Sequence, residues 1–177
     1  FGCNLQLTRT IRIPAMGAQI LVEDELTNLG FRPEEYALLY HCNFGYPLVC
    51  EECHLELPEA RKTSPRTPFA ATALGRETSF DPPVPGEEER VFFHEDMEHR
   101  AALVNRALHT RVELTWSDTL PILAQWRSMA SGDYVCGLEP TNCYIMGRKF
   151  ERENGTLPVL QPFEMVRTGL KFHFATV

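Results

Sequence analysis

Three observations predict that this sequence folds as an all-β protein, an antiparallel β-sandwich. Its clear segments alternate apolar and polar residues with a period of two. They are rich in β-branched and aromatic residues, which suit a half-buried pleated surface. Turn-forming residues also break them at short intervals, as at Pro14, Gly30 with Pro33, Pro58, and the cluster Pro82, Pro83, Pro85 and Gly86. Many short strands with frequent turn signals form the pattern of a sandwich or barrel.

The segments TRTIRIP (8–14) and AQILVEDEL (18–26) read as the first strands. LLYHCNFGYPLV (38–49) is an apolar strand running into His41, Asn43 and Tyr46, stopped by Gly45 and Pro47. Residues 55–85 are polar and Pro-rich and read as long surface connections around one short strand. DMEHRAALVNRAL (96–108) has helix-forming residues, but its apolar positions form no clean stripe and Asn105 interrupts them, so helix and strand stand even. In RVELTWS (111–117), Val112, Leu114 and Trp116 point one way while Arg111, Glu113 and Thr115 point the other. Asn154-Gly155 is a hairpin-turn signal, preferred here over its alternative reading as part of a glycosylation sequon. It opens NGTLPVLQPFE (154–164), a turn, a short strand and a second turn. LKFHFATV (170–177) closes the chain with Leu170, Phe172 and Phe174 opposite Lys171 and His173.

The bulk numbers narrow the function classes. A chain of 177 residues with 44% hydrophobic and 23% charged residues fits one domain, 1–177, with a core that needs neither disulfides nor metal. A net charge of -7 argues against nucleic acid, which demands clustered Lys and Arg. No apolar run approaches the roughly 20 residues of a membrane span, so no membrane partner is expected. The six cysteines, without a visible export signal, read as free thiols of a cytoplasmic protein. The chain starts at Phe1 inside what reads as a strand, as a piece of a longer or N-terminally trimmed polypeptide would.

Two residues stand out chemically. His41, at a strand end among aromatics, is either a half-buried structural histidine or a general acid, since its pKa lies near neutrality. Glu139, in YVCGLEPTNC (134–143), follows Val135, Cys136 and Leu138. A carboxylate in such company sits at a strand edge or does chemistry, because burial raises its pKa and makes it a useful base. The string VCEECHLEL contains Cys50, Cys53 and His54 as C-x-x-C-H, the spacing of haem attachment or half a zinc site. A single C-x-x-C lacks the second ligand pair of a closed zinc site, and Cys136 and Cys143 are too far apart in sequence to complete it well. These three are therefore read as loop residues, with metal as a lesser alternative and no cofactor expected.

HCNFGYPL, GLEPTN and GR followed by ENGTLPVLQPFE occur in this order, and together they resemble the aldose 1-epimerase (galactose mutarotase-like) superfamily, in its DUF4432-like branch. The first stretch is similar to that superfamily's NH-x-YFNL segment and GLEPTN to its LETQN segment. One departure is Phe163, where relatives usually carry Gly before the Glu. The resemblance spans nearly the whole chain but only the C-terminal half or more of a typical member.

It implies a β-supersandwich with an open sugar cleft, present here in partial form. It also implies mutarotation, the interconversion of sugar anomers, with Glu139 as general base and His41 as general acid. A sugar cleft joins an aromatic platform to polar groups for the hydroxyls, and Asn43, Tyr46, Gln125, Trp126, Asn142 and Arg148 are the substrate-binding candidates. Each of the six has a structural role as its alternative. His94 either approaches the cleft or simply ends a strand, and Glu87, Glu88 and Glu89 read as a solvated loop. The N-terminal part of the family domain has no counterpart in the chain, so self-association or a companion chain supplying that half is expected to cover the exposed edge. A carbohydrate-binding module without catalysis is the second reading.

Overall fold

A computed structural model of the chain describes residues 2–59 and 61–177. Two antiparallel sheets face each other. The first has six strands in the order β1 (Leu5–Arg12), β2 (Gln19–Asn28), β13 (Met165–Thr176), β9 (Thr110–Trp116), β8 (Arg100–Asn105) and β5 (Cys53–Glu56). The second has five, β4 (Cys42–Gly45), β11 (Val135–Thr141), β10 (Ile122–Ser128), β7 (Arg90–Glu95) and β6 (Lys62–Pro65). A small ribbon pairs β3 (Glu34–Glu35) with β12 (Val159–Leu160), and its Leu160 packs with Leu26 and Tyr36 at one end of the sandwich.

The predicted alternation builds the core. Leu103 and Leu114 of the first sheet meet Leu123, Cys136 and Leu138 of the second, with Tyr40, Val49, Phe80 and Met129 filling between. The ambiguous segment resolves as strand β8. Asn105, which spoiled its pattern, is fully buried and uses its amide nitrogen to donate to the carbonyls of Pro47 and Leu48 and to Cys50 Sγ. Tertiary contacts here override a helix propensity worth only tenths of a kcal/mol per residue, on the order of 0.5.

Other local expectations shift. Asn154-Gly155 makes no hairpin: Asn154 ends helix α2 (Arg148–Asn154), and Gly155 caps it at φ 67°, the left-handed conformation glycine reaches without strain. Residues 55–85 hold more than surface connections. They contribute β6, helix α1 (Pro68–Ala71) and the buried Ala70, Ala73, Glu77 and Phe80. Phe163, the departure from the family pattern, adopts φ 63°, a left-handed conformation. Its amide donates to Asn28 O at 2.9 Å and its ring meets Phe31 edge-on at 5.3 Å, contacts that offset the roughly 1–2 kcal/mol cost of that conformation.

The strands β1 and β4 are sheet edges, each with one pairing partner among the described residues. Buried Asp24 on β2 ties these edges together. It accepts from Arg9 of β1 at 2.8 and 2.6 Å and from the Tyr40 hydroxyl, next to β4, at 2.6 Å. Burial alone would raise its pKa; the Arg9 and Tyr40 hydrogen bonds overcome that and hold it below the usual carboxylate range.

Candidate active site

Strand register decides which candidates meet. Asn43 on β4 lies opposite Gly137 on β11, Gly137 lies opposite Trp126 on β10, and Glu139 is two residues along from Gly137. Side chains alternate along a strand, so Asn43, Glu139 and Trp126 share the outer face of the five-stranded sheet, and His41 stands two residues before Asn43 on the same side. Tyr40, Cys42, Leu138 and Gln125 turn inward. Gly137 leaves the space these groups occupy. A Cβ there would fall 2.5 Å from Glu139 Oε1 and 3.4 Å from Asn43 Oδ1.

The site has an acid–base arrangement. His41 Nε2 is 2.9 Å from Glu139 Oε1, with the histidine side chain 50% exposed and the carboxylate only 3%. No hydrogen bond joins them, and Oε1 is buried without a hydrogen-bond partner among the described residues. On its other side, His41 Nδ1 is 2.8 Å from Asn43 Oδ1. An amide oxygen only accepts, so Nδ1 carries a hydrogen and Nε2 is the ring nitrogen that faces the glutamate. Burial pushes the Glu139 carboxyl above the usual range; His41 pulls it back in part, and the Glu89 carboxylate adds to the rise. Trp126 closes one side, its ring 5.6 Å from the imidazole at 64°.

Four candidates stand elsewhere. Gln125 is fully buried on the inner face, where its Oε1 meets His94 Nε2 at 3.0 Å and its amide nitrogen donates to Glu77 O at 2.8 Å. Asn142 is buried and joins backbone, accepting from Leu38 N–H at 2.8 Å and donating to Tyr36 O at 3.4 Å. Tyr46 is exposed and lines a separate groove with Cys50, Pro83 and Tyr134. Arg148 opens helix α2 in solvent. His94 is a closed structural histidine. Thr63 and Gln125 occupy both ring nitrogens, and burial lowers its pKa to about 4.

The C-x-x-C-H string, read as loop, is only partly one: Cys50 lies in the bend, while Cys53 and His54 begin strand β5. Cys53 N–H bonds back to Cys50 O in a turn, Cys53 points into the core and His54, its neighbour on β5, points out. The three side chains therefore do not converge, and no cluster of three metal-ligating side chains occurs among the described residues. A groove of about 560 Å³ lies over β1, β2, β13 and the end of β9. Of its charged residues, Arg12 pairs with Glu23 and Arg167 with Glu25.

Family comparison agrees with this architecture. The domain-of-unknown-function family DUF4432 matches residues 1–174. The chain belongs to that family. A structure from Klebsiella pneumoniae, described as a candidate aldose 1-epimerase, is 26% identical with a TM-score of 0.92 over 98% of this chain and 47% of its own. A galactose mutarotase-like protein from Clostridium acetobutylicum is 16% identical, TM-score 0.67, over 98% of this chain and 56% of its own. A candidate aldose 1-epimerase from Escherichia coli K12 is 12% identical, TM-score 0.70, over 99% of this chain and 62% of its own. The DUF4432 chain thus has the mutarotase-like all-β sandwich and spans about half the length of these relatives. No curated protein matches it. No helix among the described residues is long and apolar enough to cross a membrane.

Two participants escaped the sequence reading. Gly137 carries no chemistry of its own, and Glu89 looked like any member of an acidic run. Only register and proximity single them out.

Proposed function

We propose that this DUF4432 chain binds a small aldose and interconverts its anomers by general acid–base chemistry, without a cofactor. The observation that supports it is the unpartnered Oε1 of buried Glu139 beside Nε2 of half-exposed His41. Glu139 takes the proton of the anomeric hydroxyl as the C1–O carbonyl forms and the C1–ring-oxygen bond breaks. His41 Nε2 delivers its proton to the ring oxygen. The open chain rotates about C1–C2, and the reverse transfers close either anomer. Both sugar oxygens are bonded to the same carbon, so an acid and a base about 3 Å apart can address them together.

The names of the Klebsiella and Escherichia coli structures favour this chemistry. The Phe163 departure keeps open a second reading, a binding module that keeps the cleft and lacks turnover. NMR exchange between α and β anomers, over a panel of aldoses, separates them. The enzyme reading requires acceleration that vanishes in Glu139→Gln; binding without acceleration leaves only the module.

The open edges β1 and β4 and the exposed Leu7 and Ile11 support a companion chain or a second copy completing the sandwich. Light scattering that returns only a stable monomer under active conditions counts against both. Six unpaired cysteines fit a reducing, cytoplasmic setting.

A further inference from the structure

The acidic run before β7 divides into three roles. Glu87 pairs with Arg90 at 2.6 Å, and Glu88 is exposed. Glu89 turns toward the site: its Oε2 accepts the indole N–H of Trp126 at 2.6 Å, and its Oε1 stands 3.8 Å from Arg66. The indole is thus held at its nitrogen end by a charged acceptor, while its ring reaches His41 at the other. Val91, Phe93, Ile122 and Ala124 pack beside Trp126, but apolar contact is non-directional and leaves the ring nitrogen unaimed. A charge-assisted hydrogen bond is short and directional and fixes that orientation.

We infer that Glu89 is a positioning residue, holding Trp126 as the wall of the sugar site beside His41 and Glu139. The inference rests on the sugar-site reading for its purpose, though not for its geometry. Arg66 faces the other oxygen of Glu89. The carboxylate also faces the same space as Glu139, consistent with its contribution to that group's raised pKa.

Two readouts test the inference on the full chain. The first is the Trp126 indole N–H resonance, one of two in the protein and assigned by its loss in Trp126→Phe. Glu89→Ala shifts that resonance and speeds its exchange with water. Glu89→Gln, which keeps a carbonyl oxygen as acceptor, recovers most of the effect, and Glu88→Ala changes nothing. The second is the kcat-against-KM split in anomer exchange, with Glu89→Ala raising KM roughly five- to tenfold and changing kcat little. An indole resonance or a KM in Glu89→Ala indistinguishable from wild type overturns the inference. If the wild-type protein neither accelerates exchange nor changes its tryptophan fluorescence with any aldose, the sugar reading fails, and the indole resonance alone still decides whether Glu89 orients Trp126.

Discussion

The two faces of the five-stranded sheet carry similar residues and treat them in opposite ways. The inner face holds His94 between Thr63 and Gln125, fully buried, with both nitrogens engaged and its pKa lowered by burial to about 4. The outer face holds His41 beside a carboxylate, half exposed, with one nitrogen fixed by Asn43 and the other facing an oxygen that has no hydrogen-bond partner among the described residues. The His94 ring itself is saturated, although Glu77 Oε2, Arg61 Nε and Arg127 Nε in the network around it have no partner among the described residues. The His41 pair differs in lying at a solvent boundary. The side-chain types are nearly the same, and what separates the faces is which hydrogen-bonding capacity remains for something outside the protein.

The sharpest test of that contrast removes the unsatisfied groups. Glu139→Gln lowers anomer exchange by about 10²–10⁴-fold, as does His41→Asn, while circular dichroism and the unfolding midpoint stay near wild type. A substantial stability loss with exchange intact would reverse the assignment of the two faces. The inner face answers in the other currency. His94→Ala lowers stability by about 2–4 kcal/mol in urea unfolding, because it opens a cavity and strands Gln125 and Thr63.

The same histidine sets an acid dependence. The unfolded chain binds a proton at His94 below about pH 6.5, whereas the folded chain resists it until about 4. The unfolded state therefore binds more protons across that window. Stability is full above pH 6.5 and falls as pH drops toward 4, by up to about 3 kcal/mol. Unfolding midpoints at pH 7.5 and 5 in wild type and His94→Asn measure it, and the variant shows the smaller loss.

Smaller effects sharpen the boundary between the faces. Gly137→Ala costs about 1–3 kcal/mol and reduces exchange, since the new methyl displaces the Glu139 carboxylate or Asn43. The neighbours Gln125 and Trp126 give the closest comparison. Gln125→Ala lowers the unfolding midpoint and leaves KM alone, whereas Trp126→Ala raises KM roughly tenfold. Smallest is the position of the acid limb of kcat/KM. The base must be ionised, and burial raises its pKa, so the rate falls with decreasing pH at a point above the ordinary range for a glutamate.

Most of the fold was legible in the sequence because period-two patterning is a local signal. The segments at 8–14, 18–26, 111–117 and 170–177 became β1, β2, β9 and β13. The misread turn and the undecided stretch fell where a local signal has two outlets. Gly155 serves a left-handed residue equally in a hairpin or at a helix end, and residues 100–105 suit a helix until the Pro47–Cys50 turn claims Asn105.

The site divides along the same line. By itself the sequence determined that His41 and Glu139 were chemically conspicuous, one at a strand end and the other a carboxylate in an apolar strand, and that the scaffold was an antiparallel sandwich. Only the tertiary structure decided that the two lie 2.9 Å apart, that Trp126 joins them while adjacent Gln125 does not, and that Gly137 makes room. The reason is strand register. Alternation along one strand is written in consecutive residues, whereas the partner lying across a sheet is chosen by the summed packing of both faces, and no short stretch of sequence encodes it.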